Sequence, residues 1–221
     1  MNNLNHKTMI ECWHTTQVVD EMNRNYPVYL NIMDETEHIQ VLKKQINIIP
    51  FKHNAQKVLD IGCGTAQISK LFNEYHFEYH GADLPLIIDY CAKKWHPNYT
   101  YFQFNEINDL PLANYDVILM NAFIDVMEHP LQQLEKVLAN AKNYVILHRQ
   151  EFDNVGPTRT TINDSYNAQT FHSIINQSDF LDLLYKHEFV IIEQHSCGFN
   201  NWIDGGKSIL LQKQKQFLKQ R

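Results

Sequence analysis

The chain has 221 residues, of which 44% are hydrophobic, 12% aromatic and 20% charged, so it is neither disordered nor collagen-like and is sized for one domain with a real core. Nineteen basic against 25 acidic residues give a net charge of −6, which argues against a surface shaped to neutralise nucleic-acid phosphates. Only seven residues are glycine, which makes their positions informative.

In chain order, the first residues contain no apolar run of secretory length, and no later stretch has the length of a membrane span, so a cytoplasmic protein without membrane contact is expected. Residues 34–49 place Ile39, Leu42, Ile46 and Ile49 at helical spacing behind acidic Asp34, Glu35 and Glu37, with Pro50 closing the helix. Residues 1–54 are therefore expected to form a helical cap, in which Trp13, Tyr26 and Tyr29 either pack on the core or cover a ligand.

From Lys57 short strand patterns alternate with helical ones, the signature of a parallel sheet wound with helices. The expected strands are 57–61, 78–82, 99–104, 115–120 and 144–148, and the expected helices are 66–75, 86–95 and 130–141. A polar stretch, 150–176, reads as a long insertion, since connections of that length are uncommon in compact domains. Helix 178–186 and two strands, 189–193 and 208–212, follow, the strands joined by a loop holding Gly198, Gly205 and Gly206. The spacing predicts an α/β, doubly wound, mostly parallel seven-stranded sheet with an antiparallel final strand, carried by residues 55–213, and a polar tail over 214–221. Cys12, Cys63, Cys91 and Cys197 form no CxxC pair, so reduced thiols and no metal site are expected.

The most specific segment is Val58-Leu59-Asp60-Ile61-Gly62-Cys63-Gly64-Thr65-Ala66, a strand entering a tight glycine turn that opens a helix. This is where doubly wound sheets bind nucleotides. A dinucleotide turn needs a third glycine where Gln67 stands, and the Asp60 carboxylate would repel a pyrophosphate. The same carboxylate attracts a sulfonium and an ammonium group. Asp83, about twenty residues beyond the turn, is placed to accept ribose hydroxyls, a role common to both cofactor classes.

These segments resemble class I S-adenosylmethionine (SAM)-dependent methyltransferases over residues 57–212. Val58–Ala66 is similar to that family's first motif, Gly81-Ala82-Asp83 to its second, Glu106–Pro111 to the segment after its third strand, and Tyr115–Asn121 to its fourth strand. The resemblance implies a Rossmann-like fold, SAM as cofactor and its demethylated product S-adenosylhomocysteine (SAH). It assigns Asp60, Gly62, Cys63 and Gly64 to the methionine part, Asp83 and Leu84 to the ribose side, Glu106 and Ile107 to the adenine, and Asn121 to the region of the reacting methyl. Ala66 stands where the family has a third glycine, which is tolerated provided that position needs no positive φ.

Methyl transfer is a direct displacement, so alignment is the main requirement and a hydroxyl nucleophile gains from a general base. The base candidates are His148, at the end of the fifth strand, His129 and His172. Arg149 either pairs with Glu151 or holds an acidic substrate. The segments of DNA amino- and cytosine-C5-methyltransferases are missing, so a small-molecule acceptor is expected. Two other readings stay open: a non-catalytic SAM/SAH-binding module and, with less support, a nicotinamide-dependent reductase.

Overall fold

A computed structural model describes residues 13–50, 56–166, 168–197 and 206–214. Cys12, the loop glycines Gly198 and Gly205, and residues 215–221 lie outside the described residues. In chain order the elements are α1 (Thr16–Ile32), α2 (Glu37–Ile48), β1 (Gln56–Ile61), α3 (Ser69–Glu74), β2 (Phe77–Asp83) and the helical segment α4 (85–95). Then come β3 (Thr100–Gln103), β4 (Val117–Asn121), α5 (Pro130–Asn140), β5 (Tyr144–Asp153), β6 (Arg159–Ser165), β7 (Ala168–Asn176), α6 (Gln177–Lys186), β8 (Phe189–Ser196) and β9 (Gly206–Lys213).

Strands β3-β2-β1-β4-β5 are parallel, β9 pairs antiparallel with β5, and β8 pairs antiparallel with β9. This is the mostly parallel, Rossmann-like sheet with an antiparallel final strand expected from the sequence, with nine strands among the described residues where seven were expected, because the β6–β7 hairpin adds two. Alternate residues of each central strand enter opposite faces, as a period of two requires. Leu59, Ile61, Ile118, Met120, Val145 and Leu147 pack with Leu134 and Leu138 of α5 and Phe180 of α6. Val58, Val117, Leu119 and Ile146 pack on the other face with Ile39, Leu42 and Ile46 of α2 and Leu71 and Phe72 of α3.

Three features differ from the sequence expectation. The polar stretch after β5 is a β-hairpin rather than a loop: β6 pairs antiparallel with β7 from Arg159↔Ile174 to Ser165↔Ala168, and β7 joins the far end of β5. Most of β6 is exposed, so its Thr and Ile residues satisfy strand preference without a long apolar pattern. Secondly, α3 begins only at Ser69, because Ala66 adopts φ +56 and holds the chain out of the helix for a further turn. The expectation that Ala66 needs no positive φ is therefore corrected. Thirdly, α1 precedes the expected cap helix; with Pro27 inside it and few buried positions, its sequence pattern is weak.

Glycine scarcity shows in the backbone. Six non-glycine residues among those described take positive φ: Ala66, His76, Ala122, Arg149, Tyr166 and Glu188. Arg149 does so where the β5–β9 register slips between Leu147 and Gln150, a bulge conformation that usually falls to glycine.

Candidate active site

At the carboxyl end of β1 the chain turns through Gly62 and Gly64, at φ +75 and +55. The Gly62 and Cys63 N–H groups both donate to Ala82 O, at 2.8 and 3.1 Å, which ties the turn to β2. The two glycines serve different ends. A Cβ on Gly62 would fall 2.3 Å from Phe123 Cδ2, whereas a Cβ on Gly64 would meet nothing within 4 Å. Gly64 thus offers bare backbone to open space.

Asp83, the last residue of β2, reaches back across this turn. Its Oδ2 accepts the Gly64 N–H at 2.8 Å and its Oδ1 accepts the Leu84 N–H at 2.7 Å. Burial pushes its carboxyl up to about 6, with the two N–H donors pulling the other way. Beneath the turn Asp60 is 2% exposed; Tyr79 donates its hydroxyl to Oδ2 at 2.7 Å, and Oδ1 has no hydrogen-bond partner. Burial, aided by the Asp83 charge, raises the Asp60 carboxyl to about 7 against the Tyr79 hydrogen bond. Asp125, on the short turn after β4, is 8% exposed with an unpartnered Oδ1, and burial raises it to about 6 while Arg149 opposes the rise.

A cavity of about 570 Å³ opens here, within the range of small-molecule sites. Gly62, Cys63, Gly64, Asp83, Leu84 and Asn121 line it. So do Ile87 and Phe104 on the β2–β3 side, and Ala122, Phe123, Asp125 and Val126 after β4. Trp13, Tyr26 and Tyr29 close it from the N-terminal segment, and Ser165 and Tyr166 close it from the β6–β7 hairpin. Tyr26 also packs on Trp95, with ring centroids 4.6 Å apart, so the same aromatics pack on the core and bound the cavity. Arg149 is the one Lys or Arg among the lining residues, and its Nε donates to Asn121 Oδ1 at 2.8 Å.

The remaining sequence candidates lie elsewhere. Asp60 sits below the turn and is absent from the lining; Glu106 is exposed and pairs with Lys136 at 3.1 Å; Ile107 is buried in the core. His148 is fully buried, 3.1 Å from His38 and 2.8 Å from Ser208, with its basicity lowered well below the ordinary value by burial and by Arg149. His172 pairs at 2.9 Å with Glu151, the carboxylate that Arg149 was a candidate to meet. His129 is exposed and precedes α5. None of the three histidines lines the cavity.

The lining residues unread in the sequence are chiefly Asp125, Phe104 and Tyr166, whereas Arg149, expected as a partner of Glu151 or a holder of an acidic substrate, lines the cavity. Asp125 follows the carboxyl end of β4, and Arg149 follows the last β5 residue that pairs with β4, the edge where such sheets bind ligands, and that position was the available signal.

Among the described residues no helix is long and apolar enough to cross a membrane, and no cluster of His, Cys, Asp or Glu has the arrangement of a metal site. No curated protein matches the chain.

Solved structures with this fold include 1,6-didemethyltoxoflavin-N1-methyltransferase from Burkholderia thailandensis, bound to 1,6-didemethyltoxoflavin and SAH. It shares 16% identity at a TM-score of 0.61, over 91% of this chain and 89% of that one. A methyltransferase from Listeria monocytogenes described as SAM-dependent shares 16% identity at 0.58, over 78% and 97%. Magnesium protoporphyrin IX methyltransferase from Synechocystis, bound to SAM, shares 11% identity at 0.54, over 97% and 86%. At these identities the likeness establishes the fold. The model of the methyltransferase domain family matches residues 33–194, most of the chain and all of the strand-turn-helix site, and the chain belongs to that family, whose fold is that of the class I SAM-dependent methyltransferases.

Proposed function

We infer that the protein binds SAM in this cavity and moves its methyl group to a small-molecule acceptor. The observation that carries the reading is the Asp83 carboxylate clamped to the open Gly64 turn at a cavity whose surroundings hold two further buried carboxylates, Asp60 and Asp125. Carboxyl oxygens without partners favour a cationic ligand. They disfavour the pyrophosphate of a dinucleotide, which argues against the reductase reading.

SAM supplies an activated methyl group on a sulfonium. In this reading Gly62, Cys63 and Gly64 receive the methionine part, and Asp60 contributes negative charge from below without contact. Asp83 accepts the ribose hydroxyls while keeping its two backbone donors, since an ionised carboxylate has about four acceptor positions. Leu84, Ile87 and Phe104 give the adenine an apolar slot, a task that the family resemblance gave to Glu106 and Ile107. Asn121, held by Arg149, stands towards the acceptor end with Asp125. The aromatic wall of Trp13, Tyr26, Tyr29 and Tyr166 keeps water from the reacting groups and suits a flat acceptor. The small-molecule acceptors of the Burkholderia and Synechocystis enzymes support that class.

Calorimetric titration with SAM and SAH tests the reading: binding of either is expected, weakened in Asp60→Ala and abolished in Gly62→Val. A folded protein that binds neither overturns it.

A further inference from the structure

Behind the cavity wall a line of hydrogen bonds runs from Tyr29 into the core. Tyr29 Oη lies 2.9 Å from His38 Nε2, His38 Nδ1 lies 3.1 Å from His148 Nε2, and His148 Nδ1 lies 2.8 Å from Ser208 Oγ. Ser208 Oγ donates to Gln45 Oε1 at 2.6 Å. The line joins α1, α2, β5 and β9. It exists because His38 and Gln45 share one face of α2 and because the β5–β9 register, regular up to Leu147 opposite Ile209, brings the next residue, His148, beside Ser208. Of its members, Tyr29 lines the cavity.

The direction of each bond follows from proton counting. Ser208 has one hydroxyl proton and gives it to Gln45, so His148 Nδ1–H donates to Ser208. A neutral imidazole carries one N–H. His148 Nε2 therefore accepts from His38 Nδ1–H, and His38 Nε2 accepts the Tyr29 hydroxyl. Both histidines are neutral: burial holds His38 down to about 3 and His148 well below its ordinary value, with Arg149 adding to both shifts. The Tyr29 proton is thus given to His38, which leaves the hydroxyl oxygen able to accept from a donor in the cavity that Tyr29 lines.

Resting on the methyl-transfer reading, we propose that Tyr29 is the catalytic residue that takes the proton from the methyl acceptor, with His38 and His148 as positioning residues that carry that proton inward. As the acceptor heteroatom bonds to the methyl carbon, the carbon–sulfur bond breaks with its electron pair staying on sulfur. The acceptor's proton passes to Tyr29 Oη, the Tyr29 proton to His38 Nε2, and the His38 Nδ1 proton to His148 Nε2. Every hydrogen bond along the line is then still made, with each histidine donating outward, and the positive charge lost at sulfur reappears on His148. The net charge inside the protein does not change, which is what makes so buried an imidazolium admissible beside Arg149. The acceptor is accordingly a neutral molecule with an O–H or N–H at the methylated atom.

Two measurements test this. The first uses 15N-histidine-labelled protein and long-range proton–nitrogen correlation at pH 7, free and with SAH. His38 and His148 are expected neutral with the proton on Nδ1, and Tyr29→Phe should move the His38 Nε2 resonance towards that of an unbonded nitrogen. A proton on Nε2 of either ring overturns the assignment.

The second follows transfer of tritium from methyl-labelled SAM to a deproteinised small-molecule extract of the source cells, at pH 6 to 9. Tyr29→Phe is expected to bind SAM within threefold of wild type by calorimetry and to slow labelling on the order of 100-fold at pH 7. Its rate should recover as pH rises and more of the acceptor loses its proton to solvent before it binds. His38→Gln keeps an acceptor for the Tyr29 hydroxyl but cannot relay a proton, and should show a smaller loss with the same recovery. The charges that face the line, Arg149 on β5, Tyr166 on the hairpin and Asp125 across the cavity, are common to all variants and cancel in the rate ratios. Packing damage alone would lower the rate equally at every pH. Equal labelling by wild type and Tyr29→Phe overturns the proposal, whereas SAM binding with no labelling by wild type overturns the methyl-transfer reading beneath it.

Discussion

Asp83 and Gly64 are nineteen residues apart in the chain and 2.8 Å apart in hydrogen-bonding terms, with the carboxylate of one accepting the backbone N–H of the other. The acid assigned to the cofactor therefore also shapes the turn that would receive it. Asp83→Ala should remove both functions, weakening SAM binding on the order of 100-fold by calorimetry. Asp83→Asn, which can still accept the Gly64 N–H, should lose less.

The raised carboxyls give cofactor binding a pH dependence of known sign. Asp60 at about 7 and Asp83 at about 6 are partly protonated at mildly acid pH, and a proton on either removes the charge that attracts a sulfonium. SAM affinity should rise between pH 5 and 8, by about tenfold where Asp83 must ionise and by about 100-fold where Asp60 must. SAH lacks the sulfonium and should show a shallower rise in the same titration.

Stability responds to pH in the opposite sense for two sets of buried groups. His148 stays neutral in the folded state, so below about 6.5 the unfolded chain binds the additional proton and stability falls as pH falls, by at most about 1.4 kcal/mol per pH unit. Asp60, Asp83 and Asp125 have folded values above their unfolded ones; their contribution is greatest at low pH and is lost as pH rises through about 6 to 7. Urea unfolding at pH 5 and 7.5 separates the two. His148→Gln should be less stable than wild type at pH 7.5, and the gap should narrow or reverse at pH 5.

The few glycines make backbone strain testable at two contrasting sites. Gly62→Ala combines φ +75 with a Cβ 2.3 Å from Phe123, and should cost about 2 kcal/mol or more and distort the cavity. Glu188 takes φ +59 on the exposed exit from α6, where helices ordinarily use glycine. Glu188→Gly should add about 1 kcal/mol, raising Tm by about 2 to 4 °C in a thermal melt.

The glycine-turn side of the cavity was legible because its signals are local. Gly62, Gly64 and Asp83 lie on strand ends whose patterns alternate with helices, and a parallel order brings such ends to one edge. The hairpin at 150–176 was not legible because a strand exposed on most of its length needs no apolar alternation, and α1 was not because Pro27 and its sparse apolar positions weaken the helical pattern. His148 was legible as a strand-end histidine, but the surroundings of its side chain were not. They are set by α2, which packs on that face of β5 and brings His38 to one ring nitrogen, and by Ser208 of β9 at the other.

By itself the sequence determined the mostly parallel sheet with its antiparallel final strand, the glycine turn and the acid that serves it, since these follow from hydrophobic period and from φ values that glycine adopts without strain. Only the tertiary structure decided that Asp125 and Arg149 share the cavity, and that Tyr29 meets His148 through His38. Those relationships join α1, α2, β4, β5 and β9, and contact between distant segments is fixed by packing, which local propensity does not encode.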